Sequence, residues 1–123
     1  MQANLGDVGA RKNVVAITGC AGLIGSHFAH YMLAQGYVVH GVDNLSGGYA
    51  DWLPNHPDFF FHELDLTHND AGNEIARFQP LAIFHFAAYA AEGLSPFIRK
   101  FNYEQNLVAS ASAINAAIAV GAK

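Results

Sequence analysis

The sequence has 123 residues and a formal net charge of −4, with 52% hydrophobic and 13% charged residues. That length sets one domain with a core of its own, and the negative balance, with no basic cluster beyond Arg11-Lys12 and Arg99-Lys100, excludes a nucleic-acid partner. The low charged fraction points to surface that something else covers, and the lone Cys20 excludes an internal disulfide and suits a reducing, cytoplasmic setting.

Residues 1–12 are polar and aperiodic and read as a flexible N-terminal tail, without the basic and apolar regions of a signal peptide. Val14–Ile17 is a short apolar run of the kind buried on both faces of a parallel sheet. Gly22–Gln35 reads as a helix closed by Gly36, and residues 37–43 as a second strand. Residues 44–57, with two prolines, form a loop with a turn near Trp52. Phe59–Leu66 is a third strand, Asp70–Gln79 a short helix stopped by Pro80, and Leu81–Phe86 a fourth strand. Ser95-Pro96 reads as the N-cap and first-turn proline of a short helix. Asn102–Val120 is a long helix with Leu107, Ala111, Ile114 and Ile118 on its apolar, core-facing stripe. Its Ala-rich part is too short for a membrane span and is interrupted by Ser110, Ser112 and Asn115.

Strands that alternate with crossovers pair in parallel and wind right-handed. The pattern therefore predicts an α/β fold, the front half of a Rossmann-type doubly wound parallel sheet with strand order 3-2-1-4 and flanking helices. Residues 13–123 form one partial dinucleotide-binding domain, stopping short of a fifth strand.

The stretch 17-ITGCAGLIGSHF-28 places Gly19, Gly22 and Gly25 between a buried strand and a helix. A phosphate needs bare backbone N–H groups and a helix N-terminus aimed at it. Gly19 allows the tight turn, Gly22 the close approach of a pyrophosphate, and Gly25 close helix–strand packing. A strand–helix turn with packing glycines is the plainer alternative. Asp43 ends the second strand, roughly the 20 residues past Gly25 at which a ribose-binding acid is expected. A carboxylate there accepts from both ribose hydroxyls and repels a 2′-phosphate, which selects NAD over NADP. Alternatively, Asp43 only caps a turn. Asp65-Leu66 either reaches the adenine edge or forms a turn before Thr67. Asn106 is a poor helix former beside a buried face, where its amide needs partners; on the outer face it would merely meet solvent.

His27 and His30, spaced i and i+3, have no third ligand at suitable spacing and read as surface residues, so no metal is expected. His85 reads as a hydrogen-bonded core residue in a buried strand. Cys20 reads as a packing residue, since nothing near it in sequence would activate a thiolate.

These residues carry a resemblance. Thr18-Gly19-Cys20-Ala21-Gly22-Leu23-Ile24-Gly25 resembles the TGxxGxxG loop of the extended short-chain dehydrogenase/reductases. Asp43-Asn44-Leu45-Ser46-Gly47-Gly48 resembles the segment after their second strand. His85-Phe86-Ala87-Ala88 resembles their fourth-strand motif, and Pro96 and Asn106 sit like the paired Pro and Asn of the next helix. The likeness runs from about residue 13 to the end and is greatest to the NAD-dependent epimerases and dehydratases, UDP-glucose 4-epimerases and their relatives. It implies bound NAD, contacted by the loop with Leu23 and Ile24, by Asp43, Asn44, Leu45 and Ser46, by Asp65 and Leu66, by Phe86, Ala87 and Ala88, and by Asn106, for which it also implies a supporting catalytic role that organises the helix and water near the active site. It implies a nucleotide-sugar substrate, held only with a further C-terminal part, and a homodimeric parent.

The resemblance also implies a Tyr-x-x-x-Lys pair for proton transfer. Tyr31, Tyr37, Tyr49, Tyr89 and Tyr103 are followed four residues on by Gln35, Gly41, Leu53, Gly93 and Leu107, so the pair is absent from this sequence. The expectation is an N-terminal portion, inactive alone, with the fourth strand as an apolar edge. The rival expectations are a non-catalytic dinucleotide sensor and an NAD-dependent reductase of the same superfamily.

Overall fold

The computed structural model describes residues 13–123; the expected tail, residues 1–12, lies outside the described residues. Four strands, β1 (Val14–Thr18), β2 (Val38–Asp43), β3 (Phe59–Glu63) and β4 (Ala82–His85), form one sheet in the order β3-β2-β1-β4. All its pairings are parallel, with Val15 opposite Val39 and Ala82, and Val39 opposite Phe59. This is the expected front half of a Rossmann-type sheet. The β-branched residues of β1 and β2 suit strands covered on both faces.

Helix α1 (Leu23–Ala34) crosses from β1 to β2. It sets Ala29, Met32 and Leu33 against Val15, Ile17 and Val39, with Phe28, Phe59, Phe61 and Phe84 packed around them. Its end is the expected glycine cap. Gly36 is left-handed at φ +91°, its N–H reaches the Leu33 carbonyl, and the Tyr37 N–H reaches Met32.

The other face is covered by α2 (Ala71–Ala76) and α4 (Ala109–Val120), which enclose Ala16, Val42, Leu66 and Ile75. The run before α4 is helical from α3 (Arg99–Tyr103), through a π segment at Glu104–Val108. A single 3₁₀ turn, Ala50–Trp52, sits in the long loop as expected, and a second spans Glu92–Phe97.

Three expectations are corrected. The core face of α4 is Ala109, Ala113 and Ala116, whereas Leu107, Ile114 and Ile118 are 61%, 58% and 73% exposed and Ala111 is exposed as well. The cause is close helix approach: a Cβ on Gly72 of α2 would lie 3.1 Å from the Ser112 carbonyl, leaving room only for small side chains. Second, the last helical run begins at Arg99, three residues before the expected Asn102, β3 stops at Glu63 and α2 is shorter than Asp70–Gln79. Third, Ser95 is not an N-cap; it lies inside the 3₁₀ turn and its hydroxyl donates to the Glu92 carbonyl at 3.0 Å.

The outer side of β4 is partly paired. Lys123 donates its N–H to the Leu81 carbonyl at 3.0 Å, and its carbonyl accepts the Ile83 N–H at 2.7 Å. Those two bonds flank Ala82, the pattern of a parallel pair.

Candidate functional site

The site forms where β1 and β2 end. After Thr18 the chain turns at Gly19, whose φ of +71° favours glycine. The Gly19 N–H bonds the Val42 carbonyl at 2.8 Å, and the Gly22 N–H returns to the Gly19 carbonyl at 3.1 Å. A Cβ on Gly25 would run into the Gly19 carbonyl, so the first turn of α1 can rest on the loop only with glycine there. Gly22 is the N-cap of α1 and no side chain caps it. The N–H groups of Leu23, Ile24 and Gly25 thus open the helix without intrahelical acceptors, at the positive end of its dipole.

Asp43 joins this loop to the end of β2. Its Oδ2 accepts the Ala21 N–H at 2.9 Å and its Oδ1 accepts the Leu45 N–H at 2.8 Å. The second bond holds Leu45 left-handed at φ +61°, a strained setting for a bulky residue. Asn44 closes the next turn, its Oδ1 accepting the N–H and hydroxyl of Ser46. The loop then folds back on the glycines: Tyr49 donates its N–H to the Ala21 carbonyl at 2.9 Å, and a Cβ on Gly48 would crowd that carbonyl.

Between these loops and the segment after β4 lies an open cleft. Of the expected contacts, Gly19, Gly22, Asp43, Asn44, Ser46 and Leu66 line it, and so do Phe86, Ala87 and Ala88. Gly25 supports the loop from behind. The structure does not bring the remaining side chains to the cleft. Leu23 and Ile24 turn outward into a shallow apolar depression beside His27, Phe28 and Tyr31, leaving only their N–H groups for a ligand. Leu45 does not line the cleft; its N–H is donated to Asp43 Oδ1. Asp65 makes a turn, its Oδ1 accepting the Thr67 N–H at 2.9 Å and hydroxyl at 2.7 Å, and it does not line the cleft.

Asn106 does not line the cleft, and its side chain acts as a tether behind it. It lies in the π segment, where its Oδ1 accepts the Tyr89 N–H at 2.7 Å and its Nδ2 donates to the Tyr89 carbonyl at 3.1 Å. Its amide also reaches Asn102 Oδ1. Tyr89, Gln105 and Gly48 line the cleft without having been picked as contacts. Gly48 carried a signal in the Gly47-Gly48 pair and Gln105 lies one residue from Asn106, whereas nothing in the sequence marks Tyr89.

Cys20 is fully buried, and burial first, then the nearby Asp43 carboxylate, pushes its thiol up to about 12, consistent with a packing role. His85 bonds Thr18 Oγ1 through Nδ1 (2.7 Å) and Ser110 Oγ through Nε2 (3.0 Å); it is hydrogen-bonded as expected, but half-buried rather than in the core. Burial lowers its pKa. No helix among the described residues is long and apolar enough to cross a membrane.

The geometry fits a dinucleotide: a glycine cradle that a Cβ would fill, bare N–H groups at a helix start, and an acid bonded to the loop beside them. Comparison with known proteins agrees. Residues 15–123 match the NAD dependent epimerase/dehydratase family. A UDP-glucose 4-epimerase of Mycolicibacterium smegmatis is 34% identical over 87% of this chain and 35% of its own. The Thermus thermophilus UDP-glucose 4-epimerase, solved with NAD, superposes at a TM-score of 0.82 with 30% identity, over 89% of this chain and 35% of that one. The Brucella ovis UDP-glucose 4-epimerase with NAD gives 0.79, 30%, 90% and 34%. The chain thus spans about a third of the length of the relatives it matches.

Proposed function

This chain belongs to the NAD-dependent epimerase/dehydratase family, and from that premise we propose that it is the NAD-binding portion of a nucleotide-sugar epimerase resembling UDP-glucose 4-epimerase. One observation carries the reading. The Asp43 carboxylate at the end of β2 is bonded to the Ala21 N–H of the glycine loop, so the ribose-binding acid and the phosphate cradle are built as one unit.

In this reading the N–H groups of Leu23 and Ile24 hold the pyrophosphate. The Asp43 oxygens, each with lone-pair capacity beyond its one backbone donor, accept the adenosine ribose hydroxyls. Asn44, Ser46, Leu64 and Leu66 wall the adenine end, and residues 86–89 wall the far half. Bound NAD supplies a reversible hydride acceptor for a sugar carbon. This chain supplies binding and orientation; its tyrosines lack the Lys four residues on, so proton transfer falls to residues outside it. A homodimeric, cytoplasmic parent accords with the single buried cysteine and with the apolar outer face of α4.

Calorimetric titration tests the reading. NAD should bind with a 1:1 stoichiometry, and NADP at least about tenfold more weakly, because its 2′-phosphate meets the Asp43 carboxylate. A folded sample that gives no heat with NAD overturns the proposal.

A further inference from the structure

Behind the cleft wall a line of polar groups has its proton directions fixed at both ends. At one end the Ala87 N–H, which can only donate, points at Thr18 Oγ1 at 3.1 Å. At the other, the Asn106 carbonyl, which can only accept, receives the Ser110 hydroxyl at 2.6 Å. Ser110 has then used its one proton, so across the 3.0 Å to His85 it accepts, and Nε2 carries the hydrogen. A neutral ring has a bare Nδ1, which accepts the Thr18 hydroxyl proton across 2.7 Å. Burial, which lowers the His85 pKa, keeps that ring neutral near pH 7.

The line joins the end of β1, the end of β4 and the start of α4. What it secures lies between them. Ala87 is held by Thr18, and Tyr89 by Asn106, whose own carbonyl is the last acceptor of the line. Ala87 and Tyr89 both line the cleft, while His85 does not. Gly19 leaves no slack: a Cβ there would sit 2.7 Å from the Ala87 nitrogen, so any shift of Ala87 is a shift against the glycine loop.

We propose that His85, in its Nε2–H form, is a positioning residue that sets the backbone of residues 86–89 against the glycine loop. It acts through Thr18 on one side and Ser110 on the other. The consequence for ligand binding rests on the dinucleotide reading above; the setting of the backbone does not. A rigid imidazole suits the role because it presents an acceptor and a donor on opposite edges of one ring. Glutamine offers both from the end of a flexible chain, and leucine offers neither.

Nitrogen-detected NMR should find His85 as the Nε2–H tautomer near neutral pH. In His85→Leu, the Ala87 and Tyr89 amides should exchange at least about tenfold faster relative to the β1 amides of Val15 and Ile17, a local loosening that general loss of stability would not give. His85→Gln should recover part of the protection, and NAD affinity should follow the same order. An Nδ1–H tautomer, or exchange at Ala87 and Tyr89 that changes no more than in β1, overturns the proposal. Should His85→Leu not fold, His85→Gln and Ser110→Ala are read the same way, and unchanged exchange in both overturns it. Failure of the unsubstituted protein to bind NAD would remove the dinucleotide reading and leave tautomer and exchange to decide on His85.

Discussion

Asp43 and Ala21 meet across the first crossover: the carboxylate Oδ2 accepts the loop N–H at 2.9 Å while Oδ1 accepts that of Leu45 at 2.8 Å. One side chain therefore holds two loops before any ligand arrives. Asp43→Ala should cost about 1.5–3 kcal/mol in chemical denaturation, the range for hydrogen bonds to a charged group. The same variant should lose NAD binding and any preference over NADP. Unchanged stability would show that the loops hold themselves.

The glycine loop makes a sharper steric prediction. Gly25→Ala places a methyl into the Gly19 carbonyl, which is fixed backbone, and should destabilise by at least the 1–3 kcal/mol typical of overpacking, roughly. Gly47→Ala, with nothing within 4 Å, should be neutral to within about 0.5 kcal/mol. Equal effects of the two in a urea titration would contradict the packing described.

The orientation of α4 can be checked in the same way. Ile118→Gln and Ile114→Gln on its outer face should each change stability by no more than about 0.5 kcal/mol. Ala113→Leu, on its buried side, should cost about 1–3 kcal/mol. The opposite ranking would restore the stripe of Leu107, Ile114 and Ile118 as the core face.

That stripe shows where the sequence stops being legible. Strand order, the Gly36 cap, the glycine loop and Asp43 all follow from local chemistry: a β-rich run, a positive φ, an acid at a strand end. The face of α4 does not, because it depends on a partner. Periodicity assigns the large apolar residues inward, but Gly72 and the alanines bring α2 and α4 too close for them. The partners of Asn106 were hidden for a similar reason. Its position was readable, yet the π segment that turns its amide onto Tyr89 rather than into the cleft has no sequence mark. Leu23 and Ile24 were legible as backbone donors and not as side chains, since a phosphate loop works through N–H groups.

Cys20 lies in the glycine loop yet is sealed by Gly41 and Phe59 on the sheet: a Cβ on Gly41 would sit 2.7 Å from its Sγ and 2.8 Å from the Phe59 ring. With its thiol raised to about 12 by burial and by Asp43, it should not react with a disulfide reagent at pH 8 in the folded state. Labelling should become complete only in denaturant, with the midpoint of the unfolding curve. Rapid native labelling would mean that the loop opens without unfolding.

The last prediction concerns the far edge of the sheet. His40 Nδ1 and His62 Nε2 lie 2.9 Å apart, and both rings stack on Phe78 with centroids at 4.5 and 4.3 Å. One proton can serve that contact; charging both rings sets like charges together. Burial first, and then His62, lowers the His40 pKa from 6.5 to about 4, and burial lowers His62 as well. In the unfolded chain these rings take up protons near pH 6.5, whereas in the folded chain His40 does so only near 4. The stability that His40 contributes is therefore present above pH 6.5 and is lost as the pH falls through about 4. His40 is half-buried, so solvent screening keeps its slope below the one-proton limit of about 1.4 kcal/mol per pH unit. Denaturant midpoints measured at steps between those two pH values should fall for the unsubstituted protein and fall less steeply for His40→Gln. Parallel curves would show that the pair does not couple protonation to folding.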